Sequence, residues 1–208
     1  NYVRSAQNAV TAPTPDIALA AEAVGKASAQ VERAGDVVRR LREFIRLGRS
    51  ERAPVALARI VEESLILSRS ELNLQGIDVT VRVPRELPAV MADLLQIEQV
   101  LLNLLRNAAE SIAETGRIDG RIEIEAVSAE PGFIEVRVRD NGPGFDPAFL
   151  ERPIVPFTTS KPEGTGIGLA LSRSIVENHG GWLWLGGGPG GAVVHFTLPL
   201  AGEQRHAG

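Results

Sequence analysis

The sequence predicts an α+β chain: a two-layer α/β sandwich with a mostly antiparallel sheet, preceded by one long helix. Three features predict it. Apolar residues recur with alternating three and four spacing from Ile17 to Ile45, the period of a helix. The polar stretch Gly48-Arg-Ser-Glu-Arg-Ala-Pro54 then interrupts, and the grammar changes. Helical windows over 58–73 and 92–114 follow, interleaved with alternating windows at 77–83, 121–127 and 133–139.

Residues 1–10 read as a short helical stub, broken at Thr11-Ala-Pro-Thr-Pro15 because proline removes a donor and biases its predecessor away from helix. Asp16 is the expected N-cap of the next helix. Its seam is Ile17, Ala20, Val24, Ala27, Val31, Ala34, Val38, Leu41 and Ile45, with Arg33, Arg39, Arg40, Arg42 and Glu43 off it. Small seam residues imply close helix–helix approach, and the length favours a bundle or dimer element over a helix lying on its own domain. The 92–114 helix draws its apolar surface from Leu94, Leu95, Ile97, Val100, Leu101, Leu104, Leu105 and Ala108. Glu130-Pro-Gly132 is a turn between two strands. Residues 141–164 read as a long functional loop, 165–178 as a helix, and two terminal strands flank the Gly186–Gly191 turn. The tail from Ala201 is expected to fray.

Bulk composition narrows the function. At 208 residues, with 44% hydrophobic and 23% charged, the chain fits one core-bearing domain plus a helical appendage. A net charge of −4 argues against a general nucleic-acid binder. Zero cysteines exclude disulfides and thiolate metal sites, which suits the cytosol. No apolar run approaches the roughly 18 residues that cross a bilayer, so no membrane contact is expected. The chain opens on Asn1 without a leader pattern and is expected to be an internal piece of a longer protein.

Three segments carry the chemistry. Asn103 and Asn107 are four apart on a helix, so their amides share a face; such neutral oxygens ligate hard Mg²⁺, although two such amides also serve as plain caps or bridges to backbone. Asp140 ends a strand and enters Asn141-Gly-Pro-Gly144, where a carboxylate can accept from an exocyclic amine and glycines admit a flat ring; an ordinary Asp-Asn-Gly turn fits equally well. Gly164-Thr-Gly-Ile-Gly168 opens a helix whose free N–H groups suit phosphate oxygens, with Lys161 upstream as a cation and Thr159, Ser160 and Thr165 as hydroxyl contacts. Neither the P-loop nor the Rossmann glycine spacing is met, so the phosphate site belongs to another nucleotide fold.

In order and spacing these segments resemble the GHKL (Bergerat) ATP-binding domain of sensor histidine kinases, in particular FixL-, DctB- and NtrB-like kinases. Gln96–Glu110 resembles the N box, Asp140–Gly144 the G1 box, Pro156–Gly164 the F box and lid, and Gly164–Gly168 the G2 box, which Ser172–Gly181 continues. The resemblance covers residues 17–200. It implies part of a dimerisation and histidine-phosphotransfer (DHp) bundle at 1–52, a catalytic ATP-binding domain at 53–200 and a flexible tail at 201–208.

Roles carry over by position. Asn107 and Asn103 would hold Mg²⁺; Asp140, Gly142 and Gly144 would form the adenine pocket. Gly164, Gly166 and Gly168 would hinge the lid and cradle phosphates, with Thr159, Ser160, Lys161, Thr165 and Leu169 completing the nucleotide contacts. Asn107 and Lys161 would support transfer of the ATP γ-phosphoryl group to a histidine, for relay to a response regulator receiver domain. The resemblance further implies a homodimer through the DHp helices and a cytoplasmic location, whether the parent protein is membrane-anchored or soluble. There are departures. The acceptor histidine and its neighbouring acid are missing; His179 matches a structural position, and neither His195 nor His206 is a credible acceptor. Thr158 stands where a second aromatic is frequent in the F box, which bears on lid packing. Rival readings are a GHKL ATPase, which would place a glutamate general base where Asn103 stands, an anti-sigma serine kinase, which lacks the long heptad helix, and a GHKL nucleotide-binding module without kinase activity.

Overall fold

Pro13 and Pro15 separate two helices, α1 (Tyr2–Thr11) and α2 (Ile17–Ile45). The computed structural model describes residues 2–45, 50–158, 166–188 and 190–202, and the chain divides into two units, Asn1–Ile45 and Arg46–Gly208. In the first unit Asp16 fixes the turn: its N–H donates to the Ala9 carbonyl at 2.9 Å, and its Oδ1 caps α2 by accepting from Leu19 N–H at 2.9 Å. The hairpin closes on small residues, with Ala6, Ala9, Ala20 and Ala23 buried. The predicted seam therefore divides. Ala20 is buried and Ala27 half-buried, whereas Ile17, Val24 and Val31, seven residues apart, form an exposed column at 67%, 58% and 72%; the side chains of Ala34, Val38, Leu41 and Ile45 lie outside the described residues. Alanines let α1 approach closely; the bulkier column is left outside that contact.

The second unit runs β1 (Ala53–Val55), α3 (Leu57–Leu74), β2 (Asp78–Arg82), β3 (Val90–Ala92), α4 (Leu94–Glu114), β4 (Arg121–Ser128), β5 (Phe133–Asp140), α5 (Pro147–Leu150), α6 (Gly168–Asn178), β6 (Leu183–Gly188) and β7 (Gly191–Pro199). The main sheet has the order β2-β4-β5-β7-β6; only the β2–β4 pair is parallel. Alternation decides its faces. Ile122, Ile124, Ile134, Val136, Phe196 and Leu198 point inward onto a helical layer that contributes Ile60, Ile97, Leu101, Leu104 and Ile175. Full burial of each such side chain is worth about 1.5–3 kcal/mol. The intervening positions form the opposite face, where Glu135 accepts from Arg137 and lies 2.8 Å from the His195 ring nitrogen.

Several expectations need correction. β1 and β3 were not foreseen: three residues each, they pair Ala53 with Ala92 and Val55 with Val90, and no period is visible in so short a run. Leu95 is 71% exposed, because it sits half a turn away from the Ile97–Leu101–Leu104 face. The loop after β5 holds the short helix α5, capped by Asp146, which accepts from Ala148 N–H at 2.8 Å. α6 begins at Gly168, not 165, since Gly166 has φ +65°. Gly186, Gly187 and Gly188 belong to β6, so the terminal turn is tighter than expected. Ala201 does not fray, because its N–H donates to the Ala89 carbonyl at 2.8 Å; residues 203–208 lie outside the described residues. Among the described residues no helix is long and apolar enough to cross a membrane.

Candidate functional site

Asn103, Asn107 and Ser111 occupy successive i, i+4 positions on α4 and are all half-buried. They form a polar column about 12 Å long beside the apolar face of Leu101, Leu104 and Ala108. Each end of the column meets another element. At one end the Asn103 Nδ2 donates to Ser172 Oγ on α6 at 2.9 Å. At the other, the loop leaving β5 passes over Ser111 at Gly142, where a β-carbon would lie 2.8 Å from Ser111 Oγ and 2.9 Å from Asp140 Oδ1. Only glycine lets that loop approach so closely.

A second bond orients α6 against α4. His179, just past the end of α6, accepts through Nε2 from the N–H of Asp93, just before the start of α4, at 3.0 Å. With Asp93 paired to His179 and Asn103 paired to Ser172, the two helices run antiparallel. Continuing that register brings the start of α6 at Gly168 level with Asn107. The N-terminal, positive dipole end of α6 therefore lies on the side of the amide pair. That arrangement suits an anion accompanied by a hard cation.

Asp140 is 8% exposed. Its Oδ1 accepts from Gly142 N–H at 2.8 Å and Ala192 N–H at 3.3 Å, which sets the direction of the carboxyl group. Asn141 pins the next step of the loop: its Oδ1 accepts from Arg121 N–H at 2.8 Å and its Nδ2 donates to the Asp119 carbonyl at 2.9 Å. Gly144 follows with φ +82°.

The chain on either side of 159–165 is tied together. Phe157 N–H donates to the Gly166 carbonyl at 3.0 Å, and a β-carbon on Gly166 would fall 2.6 Å from the Phe157 carbonyl carbon. Phe157 itself has φ +67°, a strained conformation for a bulky residue, and is 71% exposed. Gly168 is buried, and Leu169 is half-buried against the core. Of the sequence-predicted set, Thr159, Ser160, Lys161, Gly164 and Thr165 lie outside the described residues.

His179 is 1% exposed, with Nδ1 donating to the Ile175 carbonyl at 2.7 Å. Burial pushes the imidazole below its ordinary pKa, and the nearby Arg52 cation acts in the same direction. With both ring nitrogens engaged, it is a fastening residue. Sequence reasoning missed Ser111 and Ser172. Ser111 was reachable by continuing the Asn103–Asn107 spacing one more turn. Nothing in the sequence marks Ser172 as the partner of a residue 69 positions away.

The model of the histidine kinase-, DNA gyrase B- and HSP90-like ATPase family matches residues 92–202, which include the whole column, Asp140 and α6. The sensor protein FixL of Bradyrhizobium diazoefficiens is 35% identical over 206 residues, covering 98% of this chain and 40% of FixL. The chain thus spans less than half of that relative's length. Full-length ShkA, solved in complex with AMPPNP, superposes with a TM-score of 0.68 at 26% identity, covering 89% of this chain and 38% of ShkA. Histidine kinase ThkA, solved in complex with the response regulator protein TrrA, gives a TM-score of 0.70 at 27% identity, covering 86% of this chain and 50% of ThkA.

Proposed function

The chain belongs to the histidine kinase-, DNA gyrase B- and HSP90-like ATPase family, as the ATP-binding domain of a sensor histidine kinase, and from that membership we propose that it holds Mg²⁺-ATP along the α4 column and donates the γ-phosphoryl group to a histidine imidazole. The observation that carries this reading is the column itself. A carboxylate and a close glycine stand at one end; an amide pair and a helix start stand at the other. On this reading the first is the adenine end and the second the phosphate end.

Asp140 accepts from the adenine exocyclic amine, and Gly142 and Gly144 shape the space for the ring. Asn107 and Asn103 supply hard oxygen donors suited to Mg²⁺. When bound, that cation neutralises charge on the phosphate oxygens. The α6 N-terminus receives phosphate oxygens, with Gly164, Gly166 and Gly168 as hinge and cradle, Lys161 near the phosphate tail, and Thr159, Ser160, Thr165 and Leu169 lining the remainder. An imidazole nitrogen then attacks the γ-phosphorus in line, the bond to the β–γ bridging oxygen breaks, and ADP leaves. Catalysis on this scheme is positioning and charge neutralisation, with no covalent chemistry asked of the domain.

The acceptor is a histidine other than the three in this chain. We assign residues 1–52 to a partial DHp bundle and 53–200 to the catalytic domain. The exposed column Ile17, Val24, Val31 suits pairing with a second copy, and a response regulator receiver domain is the onward acceptor. ThkA was solved with such a regulator, which supports that partner class.

Calorimetric titration with a non-hydrolysable ATP analogue, with and without Mg²⁺, tests the reading. Magnesium-dependent binding that disappears in Asn107→Asp, with cooperative unfolding retained, is the expected result. Equal affinity in the variant would remove Asn107 from the site, and no binding at all would leave a nucleotide-free module.

A further inference from the structure

We infer that Ser172 is a positioning residue, whose buried hydroxyl engages the Asn103 amide at Nδ2 and so leaves its oxygen for the cation. This rests on the column's being the Mg²⁺-ATP site. An asparagine amide presents two ends of nearly equal shape and opposite chemistry: Oδ1 accepts, and Nδ2 carries two donors. A half-turn about the last side-chain bond would replace a cation ligand with a pair of N–H groups. The sequence of Asn103 alone does not choose between them.

In the structure the bond to Ser172 is made through Nδ2. The Ser172 Oγ accepts from Asn103 Nδ2 at 2.9 Å, and Ser172 is 1% exposed. With Nδ2 engaged on α6, Oδ1 is the end of the amide left to accept or to ligate. A buried hydroxyl without a partner is unfavourable, so each group also gives the other a reason to be where it is. The bond has a second effect. Ser172 lies one turn beyond Gly168, so it registers the start of α6 against the amide pair. Residues that orient the ligands of a cation in this way change metal affinity about 10–100-fold when removed.

The 208-residue chain carries the test, with Ser172→Ala, Ser172→Thr, Asn103→Ala and the Asn103→Ala/Ser172→Ala double variant. The first readout needs no nucleotide. In ¹H–¹⁵N spectra of the free protein, the Asn103 side-chain amide should shift and exchange faster in Ser172→Ala and stay near its original position in Ser172→Thr. The second readout is the gain in ATP-analogue affinity on adding Mg²⁺. Ser172→Ala should reduce that gain about tenfold while metal-free affinity changes less than about twofold, and Ser172→Thr should restore it. In the Asn103→Ala background Ser172→Ala should have no further effect. A full magnesium gain in Ser172→Ala, or an equal further loss in the Asn103→Ala background, would overturn the assignment while leaving the site intact. If the unmodified protein shows no magnesium-dependent binding, the reading of the site and the role of Ser172 fall together. Should Ser172→Ala unfold, the spectrum and magnesium gain of Ser172→Thr against Asn103→Ala decide: a Thr variant that behaves as Asn103→Ala overturns the role, and one that behaves as the parent supports it.

Discussion

Asp93 and His179 fasten the beginning of α4 to the end of α6. The Asp93 N–H donates to His179 Nε2 at 3.0 Å, while its carboxylate caps α4 by accepting from Gln96 N–H at 3.2 Å and also receives Glu51 N–H at 3.0 Å. Arg52 donates to the Asn178 carbonyl at the same corner. Together with the Asn103–Ser172 bond, this gives the two helices of the site two fixed points, so their relative register does not depend on apolar packing alone.

The first prediction concerns that corner. Burial lowers the His179 pKa in the folded state, so the unfolded chain binds the proton more readily. The stabilisation is complete above the ordinary value of about 6.5 and is lost as pH falls below it through the lowered folded value. Urea midpoints should therefore drop between about pH 7.5 and about pH 5.5. His179→Phe should lose that pH dependence and be less stable by about 1–3 kcal/mol at neutral pH, because the Asp93 N–H is left without its acceptor. An unchanged slope in the variant would assign the pH effect to another group.

Acid should act on the open sheet face at lower pH. Arg137 first, then His195, holds the Glu135 carboxyl at about 2, against an ordinary 4.5. A depressed carboxylate stabilises above its unfolded value, so this contribution is complete above about 4.5 and disappears as pH falls through about 2. Arg137 is itself about one-third exposed, and solvent screening limits the gain. Glu135→Gln should cost about 1–2 kcal/mol at neutral pH and flatten the acid limb of a stability–pH curve. A variant that keeps the parent's acid limb would show that other carboxylates set it.

Much of this was legible in the chain, and the reason is length. Over 21 residues of α4, a 3.6-residue period leaves little freedom about which side is buried, so the Asn103–Asn107 face followed directly from spacing. β4 and β5 alternate over eight residues each and declared their inner faces as plainly. β1 and β3 were hidden because a three-residue strand exists only through its partner, and Val55 and Val90 are 35 positions apart in sequence. Leu95 misled because hydrophobicity alone does not give rotation about the helix axis. Ser172 and the antiparallel register of α6 on α4 are tertiary facts. They arise from two hydrogen bonds between distant residues and leave no local trace.

The contact at Gly142 yields a steric prediction. In Gly142→Ala the new methyl would meet Ser111 Oγ at 2.8 Å, and the Ser111 carbonyl carbon stands 3.2 Å away. The side-chain clash can be relieved; the backbone approach can yield only by a few tenths of an ångström. Gly142→Ala should therefore weaken ATP-analogue binding about tenfold, with a modest loss of thermal stability. Adding Ser111→Gly should recover part of the affinity. If the pair is no better than Gly142→Ala alone, the loop's approach to α4 is not what the nucleotide senses.

Asp140 offers the sharpest discrimination, because its chemistry can be inverted with little change in shape. In Asp140→Asn the side-chain oxygen can still accept from Gly142 and Ala192 N–H, so the loop should keep its path and the protein should remain cooperatively folded. The other end of the group changes from acceptor to donor. An adenine exocyclic amine would then face an N–H₂ group, a mismatch that costs about 1–3 kcal/mol, or about 10–100-fold in affinity. Inosine triphosphate carries a carbonyl oxygen at the same ring position. It should bind the unmodified protein poorly and Asp140→Asn comparatively well, so the preference between the two bases reverses. Competition titrations of the two nucleotides against both proteins measure that reversal directly. Equal losses for both nucleotides would mean that Asp140 supports the loop without reading the base.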